Sequence, residues 1–404
     1  MDLTFKQRIF YFFPVLFCFC LPFGTLILSG IIILWGISSF FNIEKKSLVK
    51  GFKNPTLLLL YIFFFITCIS ALFSENKYEA LFNIENKLSF IFLPYYIFCF
   101  RWPVEVIKKC LVSFVSGCFF ACVYLIVRAT MFAFKGHPEY FFYTLFSDLI
   151  HASYFAMYLI LAISIIVLYY PHWYANQKEV KYFSVLFASV FIVAIFLCSS
   201  KLGIISFFIT MPVLIIHRLK LTLNIRRLLI VAVVVVGAVF LFAKIFPGSF
   251  ERLNSISAVS KKDIDKSSAE STTVRILIWQ QCVELIKSNP LFGVGVGDAN
   301  DRLIQSYETN GITGALEHRL NAHNQFFQTF IGLGLIGFLL LVAITLGELG
   351  AAMVKKNFIL VLTMLLIVLN FLVESMLQTS AGTLFYVFFL CMFSLPVIKD
   401  GLKA

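Results

Sequence analysis

Twelve stretches of predominantly apolar residues set the limits on what this chain can fold into. They cover residues 9–21, 24–41, 55–73, 88–100, 110–134, 152–170, 183–199, 202–216, 228–246, 326–346, 358–374 and 382–398. A bilayer's hydrocarbon core takes about 20 apolar residues per helical crossing, and a backbone immersed in it must satisfy its own hydrogen bonds. The pattern therefore predicts an all-α polytopic membrane protein with about 12 transmembrane helices. Composition points the same way: 60% of the 404 residues are hydrophobic and 13% are charged, against about 25% charged in a soluble domain. Leu21-Pro22-Phe23-Gly24 separates the first two stretches so narrowly that they also read as one broken unit. The fourth is short and needs flanking residues, or a re-entrant path, to cross.

Basic residues orient these spans, because positive loops are retained in the cytoplasm. With the N-terminus inside, that side collects Lys6, Arg8, Lys45, Lys46, Lys50, Lys53, Arg101, Lys108, Lys109, Lys178 and Lys181. Arg218, Lys220, Arg226, Arg227, Lys355, Lys356, Lys399 and Lys403 follow. The opposite side holds fewer: Lys77, Lys87, Lys135 and Lys201, with Arg128 near a span end. Both termini are thus expected in the cytoplasm, and the net charge of +12 reads as topology, with no nucleic-acid partner. The first apolar run lacks an A-x-A site and is followed at once by another span, which predicts a retained signal-anchor helix. Nine of the ten cysteines lie in or beside spans, and Cys282 alone falls in a loop. Buried, unpaired thiols are expected.

Three units follow: a membrane part over 1–246, a hydrophilic loop over 247–325, and a second membrane part over 326–404. The charge pattern turns the loop outward. Ser255 to Thr273 reads as irregular, whereas Val274 to Ser288 has helical periodicity with Ile276, Trp279, Cys282 and Val283 or Ile286 on one stripe. Asn289-Pro290 ends that helix, and Asp298 to Tyr307 suits a second short one. The loop is expected to form an amphipathic cap. No internal repeat is visible, which weighs against a transporter built from repeated halves.

The polar residues that could carry chemistry gather on the same side. His323 stands where the loop becomes a span, and a neutral imidazole suits removal of a proton from a sugar hydroxyl. Arg275 opens the loop helix and offers a fork that matches phosphate oxygens. Arg319 and His318 repeat the argument near His323. Lys201, in Ser199-Ser200-Lys201, is a cation placed against the topology rule. Glu374 ends the eleventh span, where it could position a base or donor sugar, or equally pair with a loop cation. Asp148 and His151 precede the sixth span and could line a cavity. For each, the bland alternative is a solvated or interfacial side chain. Gly293-x-Gly295-x-Gly297 is a tight turn rather than a nucleotide motif, and no metal-ligand pattern is present. Metal-independent chemistry is the expectation.

Arg275-x-x-x-Trp279, then Asn289-Pro290-Leu291-Phe292-Gly293-Val294-Gly295, then His323-Asn324 together resemble the O-antigen ligase and polymerase superfamily. His323-Asn324, nine residues, Gly334, two residues and Gly337 match the ligase pattern of His, Asn/Ser/Gln, nine residues, Gly, two residues, Gly. The resemblance implies a GT-C-like fold in the bacterial inner membrane with the large loop periplasmic. It also implies inverting glycan transfer without metal or cofactor. The donor would be an undecaprenyl-pyrophosphate-linked glycan, and the acceptor either lipid A-core or a growing glycan, so ligase and polymerase both remain open. By position, His323 matches the family's essential histidine and Arg275 its loop arginine. Lys201 stands where relatives usually carry arginine, keeping the charge without the fork, and Trp279 replaces a leucine. On this reading Lys201, Arg275 and Arg319 hold the diphosphate, with Asn324, Glu374, His318 and His151 in support. A transporter or flippase of lipid-linked sugars is the competing class, opposed by the lack of charged residues in mid-span. A structural membrane subunit is a third.

Overall fold

The computed structural model describes residues 3–220 and 271–401, with isolated positions between 233 and 267. Among the described residues every regular element is helical. The first half holds α1 (Phe5–Cys20), α2 (Leu26–Ser39), α3 (Pro55–Phe73), α4 (Lys77–Asn86), α5 (Ser89–Phe98), α6 (Val104–Phe134) and α7 (Ala152–Trp173). Then come α8 (Lys178–Leu197), α9 (Lys201–Arg218), α10 (Ser271–Ser288), α11 (Ala299–Asn310), α12 (Gln325–Val342), α13 (Phe358–Phe371) and α14 (Ser380–Ser394).

Among the described residues seven helices are long and apolar enough to cross a membrane, and Leu26–Asn42, Phe358–Phe371 and Ser380–Ser394 are shorter apolar ones. The chain is a multi-pass all-α membrane protein. These ten account for all the expected spans but two. The expected fourth span corresponds to α5, whose 10 residues extend only about 15 Å. The expected ninth, 228–246, lies outside the described residues, as does most of the irregular stretch 255–273.

α7 forms the centre of the bundle. Its sequence is apolar on every side, the pattern of a helix with no exposed face, and 94% of its spanning window is buried. α6, α8, α9 and α13 pack around it, and the Tyr158 hydroxyl donates to the carbonyl of Ala381 at the start of α14. Helix starts are fixed by side chains that accept from otherwise orphaned backbone N–H groups. Asn54 caps α3 ahead of Pro55, Asn76 caps α4, Ser200 caps α9, Asn324 caps α12 and Thr379 caps α14.

A second, smaller core lies over one end of this bundle. Val274, Leu277, Ile278 and Cys282 of α10 meet Ala299, Leu303 and Tyr307 of α11, with Ile312, Ala315, Ala322 and Ile331 closing the cluster. The buried stripe of α10 thus differs from the expected one: Val283 is exposed, and Val274, Leu277 and Ile278 take its place. α10 packs against α11, the short helix Thr313–Glu317 and α12 together, and that three-sided contact selects a broader face than one stripe. Cys282 is buried here, and all ten cysteines are free thiols.

Two sets of hydrogen bonds, among the contacts that join this layer to the bundle, engage backbone groups. Asp298 accepts from the backbone N–H groups of Glu75 and Asn76, at 2.9 and 2.8 Å, where α3 passes into α4. The turn after α10 docks on α12, with Val294 N–H donating to Ile331 O and Gly295 N–H to Gly332 O. Gly334 breaks α12 at φ 64°, and the freed N–H of Leu335 donates to Pro290 O. Glycine is required: a Cβ on Gly334 would overlap the carbonyl oxygen of Leu291, and positive φ is costly for other residues.

Lys87, read from sequence as a loop cation, is instead buried at the junction of α4 and α5 and donates to Asn83 Oδ1 at 3.0 Å. Burial pushes its ammonium down to about 7, because the charged form loses its water.

Candidate active site

Three segments distant in sequence meet at Glu374. It follows α13, and its two carboxylate oxygens are divided between two partners. Arg275 Nη2, from α10, approaches Oε1 at 3.0 Å. His323 Nδ1, from the turn before α12, approaches Oε2 at 3.3 Å. The arginine and glutamate side chains are only 19% and 12% exposed, so this pair is less screened than a surface ion pair.

The turn is wired to hold that geometry. His323 adopts φ 43°, a left-handed conformation that costs a non-glycine residue of order 1–3 kcal/mol. Asn321 Oδ1 accepts from the His323 N–H, and Ala322 O accepts from the indole of Trp279. The next two residues fasten α12 on either side of Glu374. Asn324 Nδ2 donates to Leu372 O at 3.0 Å, and Gln325 Oε1 accepts from the N–H of Leu377. Three consecutive side chains thus hold one carboxylate and the backbone that flanks it.

Electrostatics follow from this packing. Burial alone would raise the Glu374 carboxyl; the hydrogen bond from His323 and the charges of His151, Arg275 and His323 outweigh it and leave the group below its usual value. His151 stands immediately before α7, and its Nδ1 lies 2.6 Å from Ser153 Oγ. Its imidazole is shifted down, first by burial and then by the charges of His323 and Arg275, against the opposing pull of Glu374. Both side chains of His151 and Glu374 thus feel the same cluster. Two buried donors beside Glu374, Arg275 Nε and Ser375 Oγ, have no hydrogen-bond partner among the described residues.

Of the residues singled out in sequence, Arg275, His323, Glu374 and His151 come together, with Asn324 fixing the turn. Arg319 does not join them: it reaches toward Asp301 at 3.8 Å and is largely exposed. His318 is exposed at the end of the Thr313–Glu317 helix. Asp148 pairs with Arg128 at 2.8 Å. Lys201 is the first residue of α9 and half-buried. Ser199 before it is also left-handed, at φ 47°. Two residues on, Gly203 packs so closely on Ala156 that a Cβ would crowd that methyl. The start of α9 therefore lies beside the first turns of α7, the helix that His151 immediately precedes.

Gln325 and Ser375 were missed by sequence reasoning. Ser375 carries no signal of its own, but Gln325 directly follows the His-Asn pair, and a polar side chain entering an apolar run is a signal. The Gly334 spacing also acquires a reason, since that glycine lets the turn after α10 dock and thereby fixes α10, which carries Arg275. Among the described residues no group of three or more His, Cys, Asp and Glu side chains is arranged to hold a metal ion.

The arrangement provides an ionised carboxylate that orients an imidazole, and an arginine whose Nε–H is unused. Comparison with known proteins is consistent in kind. Residues 183–342 match the family model described as O-antigen ligase, Wzy_C. An uncharacterized protein of Haemophilus influenzae is 22% identical over 333 residues, covering 80% of this chain and 78% of that one.

Proposed function

We propose that this chain, whose residues 183–342 match the O-antigen ligase family, transfers a glycan from undecaprenyl pyrophosphate to an acceptor hydroxyl at the Glu374 cluster. The observation that carries this reading is the junction itself, Arg275 and His323 on one buried carboxylate. An ionised carboxylate only accepts, so the proton between His323 and Glu374 sits on Nδ1 and leaves Nε2 as the base. The acceptor oxygen attacks the anomeric carbon from the face opposite the diphosphate, its proton passes to Nε2, and the bond from that carbon to the diphosphate oxygen breaks. Arg275 meets the charge developing on the leaving diphosphate through donors that Glu374 does not use, including its buried Nε–H. Lys201 supplies a second positive charge from the start of α9. Glu374 is a positioning residue, fixing both the arginine and the tautomer of the histidine, as the carboxylate does in other base-orienting triads.

Charge asymmetry supports an outward, periplasmic placement of this end of the molecule, with both termini in the cytoplasm and the chain in the bacterial inner membrane. The acceptor is a lipid A-core or a growing glycan chain; the same cluster serves either. Purified protein in nanodiscs, given lipid-linked glycan and acceptor, is expected to release undecaprenyl pyrophosphate in step with product. Donor that crosses the bilayer without being consumed would overturn transfer in favour of a flippase.

A further inference from the structure

A cavity of about 590 Å³ lies between the end of α10, the turn through Gly293 and one face of α11, within the roughly 300–1,000 Å³ range of small-molecule sites. The sequence of α11 explains its lining. Ala299, Leu303 and Tyr307 recur every four residues and are buried in the small core. On the other face Arg302, Gln305, Ser306, Thr309 and Asn310 line the cavity, at the i, i+3, i+4, i+7, i+8 spacing of one helical stripe.

That stripe carries a single charged side chain, Arg302. Four of its five side chains are neutral amides or hydroxyls, and Asn289 adds another across the cavity. The acidic residues of α11 lie off the stripe. The one cation, Arg302, already faces Glu75 at 3.6 Å. Amides and hydroxyls both donate and accept, which is the pairing that sugar hydroxyls need and that an ion does not. Gln281 Oε1 braces the floor, accepting from Ser306 Oγ at 2.6 Å and from Asn310 Nδ2 at 3.0 Å. The Gln305 amide has no hydrogen-bond partner among the described residues and is exposed at the cavity wall.

Position matters as much as chemistry. Leu285, which lines the cavity, follows Arg275 by ten residues along α10, about 15 Å at 1.5 Å per residue. A chain held here is therefore gripped well away from the atoms that react. We infer that this cavity is a binding site for neutral sugar units of the glycan, several units removed from the bond being formed. The inference rests on the proposed transfer and identifies where the protein recognises the chain rather than the linkage.

The test uses full-length protein in nanodiscs. Its probes are oligosaccharides released by mild acid from the source cell's own surface polysaccharide and sorted by length. The variants are Gln305→Ala/Thr309→Ala and Thr309→Trp, both at exposed positions where the fold does not depend on the side chain. Longer fragments are expected to bind the native protein and to lose about tenfold in the double variant, the equivalent of one or two hydrogen bonds. Thr309→Trp should block them by filling the cavity. Equal binding by native protein and both variants would overturn the inference. Saturating lipid-linked donor then assigns the chain: donor that excludes the free fragment places donor sugars in the cavity, and simultaneous binding places acceptor sugars there. His323→Ala separates this site from the reaction, because it should bind fragments normally while losing transfer. If His323→Ala keeps transfer while the cavity variants lose binding, the proposed chemistry fails and the sugar site stands.

Discussion

The bundle and the layer above it are built by different physics, and the candidate site lies on the seam between them. The bundle's core is continuous through almost every spanning helix, and helices in lipid are held by packing rather than by removal of apolar surface from water. Among the described residues the layer's core has eleven buried side chains, a small core beside that of the bundle. Directional hydrogen bonds help to fix the layer's position, through Asp298 on the start of α4 and the Pro290–Gly297 turn on α12 and the end of α3. The bundle contributes Glu374 and His151, and the layer contributes Arg275 and His323. Chemistry that needs all four therefore depends on how exactly the layer is docked.

The sharpest test of that dependence is to remove the parts at the seam. His323→Ala deletes the proposed base and should lower transfer by about 10²–10⁴-fold, read as product per unit of membrane-inserted protein. Glu374→Gln should fall nearly as far, since it keeps the volume but no longer fixes the imidazole tautomer or pairs with Arg275. Normal transfer in both variants would remove the seam from the reaction. Gly334→Ala, remote from every reacting group, tests docking itself. It forces a Cβ toward Leu291 O at φ 64°, at a conformational cost of order 1–2 kcal/mol before the clash is counted. Lost transfer with increased proteolysis of the 271–323 layer is expected. Gly350→Ala, where a Cβ meets nothing within 4 Å, is the control.

Much of the fold was legible because membrane spans are written locally, in runs of apolar residues. Ten of the expected twelve have a helical counterpart of spanning or near-spanning character. The site was legible in parts, since His323 and Arg275 carry recognisable spacing. Glu374 was legible as a residue that could position a base or pair with a loop cation, but its actual partners were not, because they stand 51 and 99 residues away in sequence, and no periodicity reports a contact of that separation. Arg319 misled for the opposite reason. It lies four residues from His323, yet its left-handed backbone at φ 45° belongs to a turn that points it to Asp301. Lys87 misled because a charged residue between apolar runs reads as solvated, whereas the packing of α4 on its neighbours buries it.

A comparison of equal truncations measures the two kinds of core. Leu303→Ala in the layer removes contact and exposes a cavity that water can reach, so a loss of about 2–5 kcal/mol is expected. Leu159→Ala at the centre of α7, equally buried, should cost less than that, because lipid tails are as apolar as leucine. Limited proteolysis of the layer and thermal unfolding of the bundle read the two separately. If the layer tolerates Leu303→Ala better than the bundle tolerates Leu159→Ala, then the small core is not what supports it.

A further comparison is in pH, and it has opposite origins in the two regions. Glu374 lies below its ordinary value of 4.5 in the folded protein. The unfolded state therefore takes up the proton first as pH falls. Its contribution to stability is full above that ordinary value and is lost as pH drops through it toward the lowered one. Lys87 is also lowered, from 10.5 to about 7, but as a base that must shed its charge to be buried. Here too the unfolded state binds the proton more readily, so stability rises with pH between about 7 and 10.5 and levels off above. Thermal midpoints measured across both windows should therefore climb twice. Glu374→Gln should flatten the acid limb alone and Lys87→Met the alkaline limb alone. Loss of both limbs in either variant would mean that the seam and the α4–α5 junction open together, and that layer and bundle do not unfold as separate units.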